Sequence, residues 1–321
     1  MKKILLRLFL FALVLNCSAT FLFAQTKPDT VTTGIYITSI HDINFKDQEY
    51  TLDFWLWLKY KNPDFDFVNN LEIPMAKSVD KSFTTIDTTV DGRVYILMKL
   101  QCVMKDSWKI TNFPFDKQYL RLSIENSQYD VKSLVFKPDT LGKHYDPRFT
   151  LNGWAIDSFH MMAGVKLYET AFGDPDYSKP HSDYSNFRIR LSIHRNAMGL
   201  FWKLFIGMYI AALIAYVCFY IHADSIDSRF SLSVGALFAV IGNKYIVDAS
   251  LPETVTFTLV DTLHGITLLF ILCVVAANAW SLALTKKGDL KRANRFDIIT
   301  AQVLLALYII LNIYFIHNAI N

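Results

Sequence analysis

Cysteine is scarce: four in 321 residues. Cys17, Cys218 and Cys273 fall in apolar runs, and only Cys102 lies in the mixed middle of the chain. No disulfide framework can therefore hold this protein together. An excess of charge of either sign is also missing, with 32 Lys and Arg against 29 Asp and Glu. The net charge of +3 is too small to imply a nucleic-acid partner, and no basic patch with interleaved aromatics shows along the middle of the sequence. Catalytic motifs are missing: there is no Gly-rich phosphate loop, no metal-ligand cluster of recognised spacing and no nucleophile motif. No enzymatic activity, cofactor or metal is expected. Nor is there an inverted repeat or a broken helix pair, which argues against a four-helix transporter.

Apolar residues are abundant, at 52%, and they cluster at the start and in the last third. Residues 1–24 place Lys2, Lys3 and Arg7 before a short apolar run that ends at Ala24, the pattern of a secretory signal peptide. The alternatives are a retained first membrane helix, or a lipoprotein modified at Cys17. From about 31 to 195 the period is two. Tyr50–Tyr60, Val94–Leu100, Gln118–Ile124 and Asn186–His194 alternate as strands, separated by Asp-Gly, Asn-Pro and Gly-Asp-Pro turns. This predicts an antiparallel β-sandwich over 25–195. After Arg195, apolar segments at about 199–221, 230–249, 255–284 and 297–317 are each long enough to cross about 30 Å of hydrocarbon. The predicted class is thus β + α, an exported sandwich followed by a four-helix membrane domain over 196–321. The loop at 285–296 carries Lys286, Lys287, Lys291, Arg292 and Arg295 against Asp289, which makes it cytoplasmic by the positive-inside rule. An even number of spans then keeps the sandwich outside, as the signal peptide also requires.

The second apolar segment has one face unlike the others. Steps of three or four give Asp227, Ser231, Gly235, Phe238, Gly242 and Tyr245. A helix touching only lipid gains nothing from a carboxylate, a hydroxyl, two glycines and isolated rings in that order. A helix lining a narrow water path uses them all. The glycines cost about 1 kcal/mol each relative to Ala, and allow bending. Asp227 alternatively serves as an N-terminal carboxylate on free N–H groups, and Phe238 as ordinary packing. Arg229 is expected to point away from this face and snorkel to headgroups. Asp261 and His264, one turn apart in the third segment, are expected either to hydrogen-bond each other or to act functionally. In the sandwich, Trp55, Tyr129, Tyr168, Tyr177 and Tyr184 are candidate ligand-binding aromatics, against the plainer reading of core residues.

The segment Trp108-Lys-Ile-Thr-Asn-Phe113-Pro114-Phe115-Asp116, with Phe54-Trp55-Leu56, Gly153-Trp154, Arg195 before the first membrane helix and Ser250-Leu251-Pro252 after the second, resembles the pentameric ligand-gated ion channels, the Cys-loop receptor superfamily. The resemblance covers nearly the whole chain after residue 24, and the Phe-Pro-Phe-Asp turn is its most specific part. It implies that Phe113, Pro114, Phe115, Asp116, Arg195, Leu251 and Pro252 couple sandwich to pore, with Asp116 and Arg195 paired at the domain junction; the residues by themselves would read as a surface ion pair. The two loop cysteines would fall at Asp106 and Leu120, so the bridge is missing, as in prokaryotic members. The agonist-site Trp would fall at Ser127, and no Pro lies in the first membrane helix.

These readings converge on a homopentameric, cation-selective ligand-gated channel of a bacterial inner membrane. Its partners are other copies of itself, lipid, permeating cations and a small-molecule or proton agonist at the periplasmic domain. The alternative is a non-conducting membrane sensor, whose helices only relay and which has no need of a polar face on its second helix.

Overall fold

The computed structural model describes residues 27–148, 151, 153–173, 181–222 and 224–320. The signal peptide expected at 1–24 and Tyr177 lie outside them.

Nine strands form two facing sheets. They are β1 (Asp29–Asn44), β2 (Glu49–Tyr60), β3 (Leu71–Glu72), β4 (Ala76–Thr88), β5 (Val94–Lys105), β6 (Lys117–Asn126), β7 (Leu134–Pro138), β8 (Trp154–Tyr168) and β9 (Ser182–Arg195). A single-turn helix, α1 (Phe67–Asn70), precedes β3. One sheet runs β4-β5-β2-β1-β7 and the other β3-β6-β9-β8. The alternation seen in the sequence is what fills the space between them. Phe54, Leu56 and Leu58 of β2, Met98 and Leu100 of β5, Leu122 and Ile124 of β6, and Phe187 and Ile189 of β9 are all buried in one cluster. Their strand neighbours point outward. Gly34 is required by a close approach: a Cβ there would lie 2.3 Å from the Trp57 ring, whose Nε1–H donates to Asp139 at 3.0 Å. One pairing departs from the antiparallel expectation, since β1 and β7 run parallel over Asp29–Thr33 and Leu134–Pro138.

Four long helices follow: α2 (Ala197–Val217, continued by a 3₁₀ turn through Tyr220), α3 (Ile226–Asp248), α4 (Leu259–Lys286) and α5 (Leu290–Ile320). All four are long and apolar enough to cross a membrane, and the chain is a membrane protein with a four-span domain. Three helix starts correct the sequence reading, the first being that of α3, which begins at Ile226 rather than at about 230. Helix α4 begins four residues later than expected. Thr258 accepts from Asp261 N at 3.2 Å while Asp261 accepts from Thr258 N at 2.9 Å, a reciprocal cap that fixes the start. Helix α5 begins at Leu290, so Lys291, Arg292 and Arg295 ride on its first turns and the basic segment is mostly helix rather than loop. Charged residues that are good helix formers extend it, to about 46 Å at 1.5 Å per residue.

Candidate functional site

Helix α3 has two unlike faces. Arg229, Ser233, Ala236, Val240 and Val247 are buried against the other helices. Ser233 and Ala236 are small enough for close backbone approach. Asp227, Ser231, Gly235, Phe238, Gly242 and Tyr245 are all exposed on the opposite face. Phe238 is 67% exposed and Tyr245 78%. A single copy of the chain therefore leaves uncovered the very face that the sequence singled out, and Phe238 is not core within one subunit.

Arg229 is a correction. It does not reach headgroups; it is 3% exposed. Its Nη2 donates to Asp297 Oδ2 of α5 at 2.8 Å, its Nε to the Ile221 carbonyl at 3.0 Å, and Asp297 also accepts from Ser281 Oγ of α4 at 2.9 Å. Burial makes this bonding necessary, because an unpaired cation inside the bundle would be far costlier. The second correction concerns Asp261 and His264, which do not meet. Asp261 caps α4 and accepts from Lys244 Nζ of α3 at 2.7 Å. His264 places Nδ1 2.8 Å from the Val260 carbonyl, one turn back on its own helix, and Nε2 3.0 Å from Asn243 Oδ1 of α3. Lys244 also pairs with Asp248 at 2.6 Å. The sequence reading missed Lys244 and Asn243. Their spacing from Asp248 and His264 gives half of each signal, and the partner helix supplies the rest.

The junction between sandwich and helices gathers all seven residues expected there. The segment 106–116 closes at the helix end of the sandwich, where the Phe113–Pro114 peptide is cis. Asp116 accepts from Arg195 Nε at 3.1 Å and from Gln118 Nε2 at 2.8 Å, and Gln118 in turn donates to the Lys109 carbonyl at 2.7 Å. The pair is buried, at 2% and 12% exposure, so it is not a surface ion pair. The Arg195 guanidinium lies 4.1 Å from the Trp154 ring centroid, 4.3 Å from Phe45 and 5.0 Å from Phe113. Three rings and one carboxylate thus hold one cation. Burial pulls the Arg195 pKa down from its ordinary value, and Asp116 opposes that shift. Phe115 packs on Phe201 of α2 at 5.5 Å. Buried Leu251 joins the cluster that holds Ile110 and Phe113, and Pro252 beside it is buried. Leu259 N, at the start of α4, donates to the Thr111 carbonyl at 2.8 Å. Strand β9 therefore runs into α2 through Arg195, and the loop beside it touches both ends of the α3–α4 link.

The aromatic candidates divide. Tyr168 and Tyr184 come together with ring centroids 5.9 Å apart, and Phe172 joins them at 5.4 and 6.4 Å. Tyr168 OH donates to Glu125 Oε2 at 2.8 Å, and burial together with this bond raises its pKa. Tyr129 is elsewhere, packed on Phe65 at 4.8 Å with its OH on the Asp64 carbonyl. Trp55 lies on the other sheet, against Phe83 at 5.6 Å and 5.8 Å from Lys99 Nζ. One subunit does not unite Trp55 with the Tyr168–Tyr184 pair. Phe172 was not singled out from sequence, because a lone Phe in a turn carries no periodic signal.

No family model matches the chain. It is similar to a proton-gated ion channel of Gloeobacter violaceus, 25% identical over 254 residues that cover 71% of this chain and 66% of that protein. It is also similar to the gamma-aminobutyric acid receptor subunit epsilon of Rattus norvegicus, 21% identical over 271 residues covering 77% and 51%. The gamma-aminobutyric acid receptor subunit beta of Caenorhabditis elegans is 21% identical over 249 residues, covering 70% and 43%. The matches therefore span less than two thirds of each relative's own length.

Proposed function

This chain belongs to the pentameric ligand-gated ion channel family, and on that premise we propose that it forms a homopentameric, cation-selective channel gated through its sandwich domain. The observation that carries the proposal is the uncovered face of α3. A symmetric ring of five copies turns that face toward a common axis. Asp227 then forms an anionic ring at one mouth, attracting cations and repelling anions, and Phe238 forms an apolar constriction that closes by dewetting. The basic start of α5 supports a cytoplasmic location for the Asp227 end, with the sandwich in the periplasm of a bacterial inner membrane.

Gating follows from the junction. A ligand or proton that reshapes the sandwich moves β9 and the 106–116 loop. Arg195 passes that movement to α2, while Leu251 and the Thr111–Leu259 hydrogen bond pass it to the two ends of the α3–α4 link. Trp55 on one sheet, and Tyr168 with Tyr184 on the other, meet only across a subunit boundary, which suits a ligand pocket shared by neighbours. The test is current through bilayers containing the purified protein, while pH, divalent ions and small amines are varied. In a salt gradient, Asp227→Ala should weaken cation preference and Asp227→Lys weaken it further. Reversal potentials unchanged in both variants would remove Asp227 from the selectivity filter.

A further inference from the structure

The pair between Arg229 and Asp297 ties α3, which carries the uncovered face, to α5, which packs mainly on α4. Asp297 is the one carboxylate of α5. It is buried, while Lys291, Arg292 and Arg295 on the preceding turns are exposed. The two paired side chains are 3% and 2% exposed. A pair so deeply buried is weak evidence for stability, because desolvating both charges offsets most of their attraction, and apolar residues of similar size would serve the fold as well. The charges therefore point to another use.

That use lies at the mouth of α3. Arg229 follows Asp227 by two residues, in the same first turn. A guanidinium cannot shed its proton. The neutral acceptors around it, the Ile221 carbonyl at 3.0 Å and Asn278 Oδ1 at 3.4 Å, leave its charge intact. Asp297 alone cancels that charge among the described residues. The N-terminus of the helix adds about half a positive charge at the same end, and Ser225 at its N-cap makes no side-chain bond there. Together with Asp227, each subunit then presents about half a negative charge when Asp297 is in place, and about half a positive charge without it. Salt screens a buried exchange of this kind poorly.

We infer that Asp297, on a helix outside the pore, is a positioning residue for ion selectivity: by neutralising Arg229 and holding it on the buried side of α3, it leaves the field at the mouth to Asp227. This role rests on the proposed pore. It can be separated from folding because of how Asp297 bonds. Oδ2 accepts from both Arg229 and Ser281, while the buried Oδ1 has no partner among the described residues. An asparagine with its carbonyl at the Oδ2 position keeps both hydrogen bonds and loses the charge.

The measurement is the reversal potential in a salt gradient, recorded in bilayers from the purified full-length protein. Asp297→Asn should lower the cation-to-anion permeability ratio by about twofold or more, toward that of Asp227→Ala but short of it, because the stranded charge stands behind the pore wall. Arg229→Gln combined with Asp297→Asn removes both charges and should return the ratio to the wild-type value. An unchanged ratio in Asp297→Asn overturns the inference. So does a double variant shifted as far as the single, since the lost tie between α3 and α5 would then be the cause rather than the charge. Should Asp297→Asn fail to assemble alone, it is co-expressed with wild-type subunits, and the mixed oligomers should show part of the shift. An unchanged ratio in them, or no co-assembly, gives Asp297 a folding role and overturns the inference as well. Asp227→Ala is the control for the pore. A silent wild type, or a ratio that ignores Asp227→Ala, removes the selectivity reading and this role with it, whereas a ratio that follows Asp227 but not Asp297 removes this role alone.

Discussion

His41 stands between two carboxylates, with Nδ1 2.8 Å from Asp42 and Nε2 3.1 Å from Asp53 of β2. From β5 the neutral Gln101 amide donates to Asp53 at 2.9 Å. Partial burial opposes the imidazolium, but the hydrogen bonds and charges of Asp42 and Asp53 outweigh it, and the pKa is raised above 6.5. A raised folded pKa means that the folded state holds its proton more tightly. The stabilisation is fully present below the unfolded pKa and is lost as pH rises through the folded one. The melting temperature of the wild type should therefore exceed that of His41→Gln most at about pH 5 to 6, and the gap should close in mildly alkaline buffer. A gap independent of pH would assign His41 a packing role alone. Arg229 makes the opposite point about reading single residues. Its place on α3 correctly predicts that it faces away from the Asp227 side. Its partner, Asp297, is 68 residues away on α5, and nothing local to either residue reports the pairing.

At the scale of elements, the junction is a test of coupling rather than of strength. The Arg195–Asp116 pair is buried and its arginine is boxed by rings, so removing either partner strands a charge. Asp116→Ala or Arg195→Ala should each cost about 3–5 kcal/mol in assembly or gating. The double variant should be no worse than the poorer single, and strict additivity in that cycle would mean the two do not act together. The Asp116–Arg195 pairing was expected only through the resemblance that the Phe-Pro-Phe-Asp turn carries; taken alone, the two residues, 79 apart in the chain, read as a surface ion pair. The strands that were legible, β2, β5, β6 and β9, are those with one buried and one solvated face. Strand β4 was not, since its residues are nearly all exposed and alternate with nothing.

For the whole molecule, the two proposed activities differ in what Phe238 does. Each subunit leaves this ring 67% exposed, on the face that also carries Asp227 and Ser231, while Ala236 and Val240 are buried on the other. In a ring of five, the Phe238 side chains meet near the middle of the membrane and make a passage too narrow and too apolar to stay wet when closed. Phe238→Ser or Phe238→Ala then eases wetting and raises the open population without ligand. In a relay bundle the same ring would have to be packed by a neighbour, and truncation would cost about 3–5 kcal/mol and lose protein. The two readings predict opposite outcomes for one variant. A conducting assembly gives folded oligomers with a standing leak current, in about the yield of the wild type. A relay gives unstable protein and no current. Yield by size-exclusion chromatography and current in bilayers, measured on the same Phe238→Ser preparation, separate them. A well-folded oligomer that stays silent under every ligand tried would count against the pore.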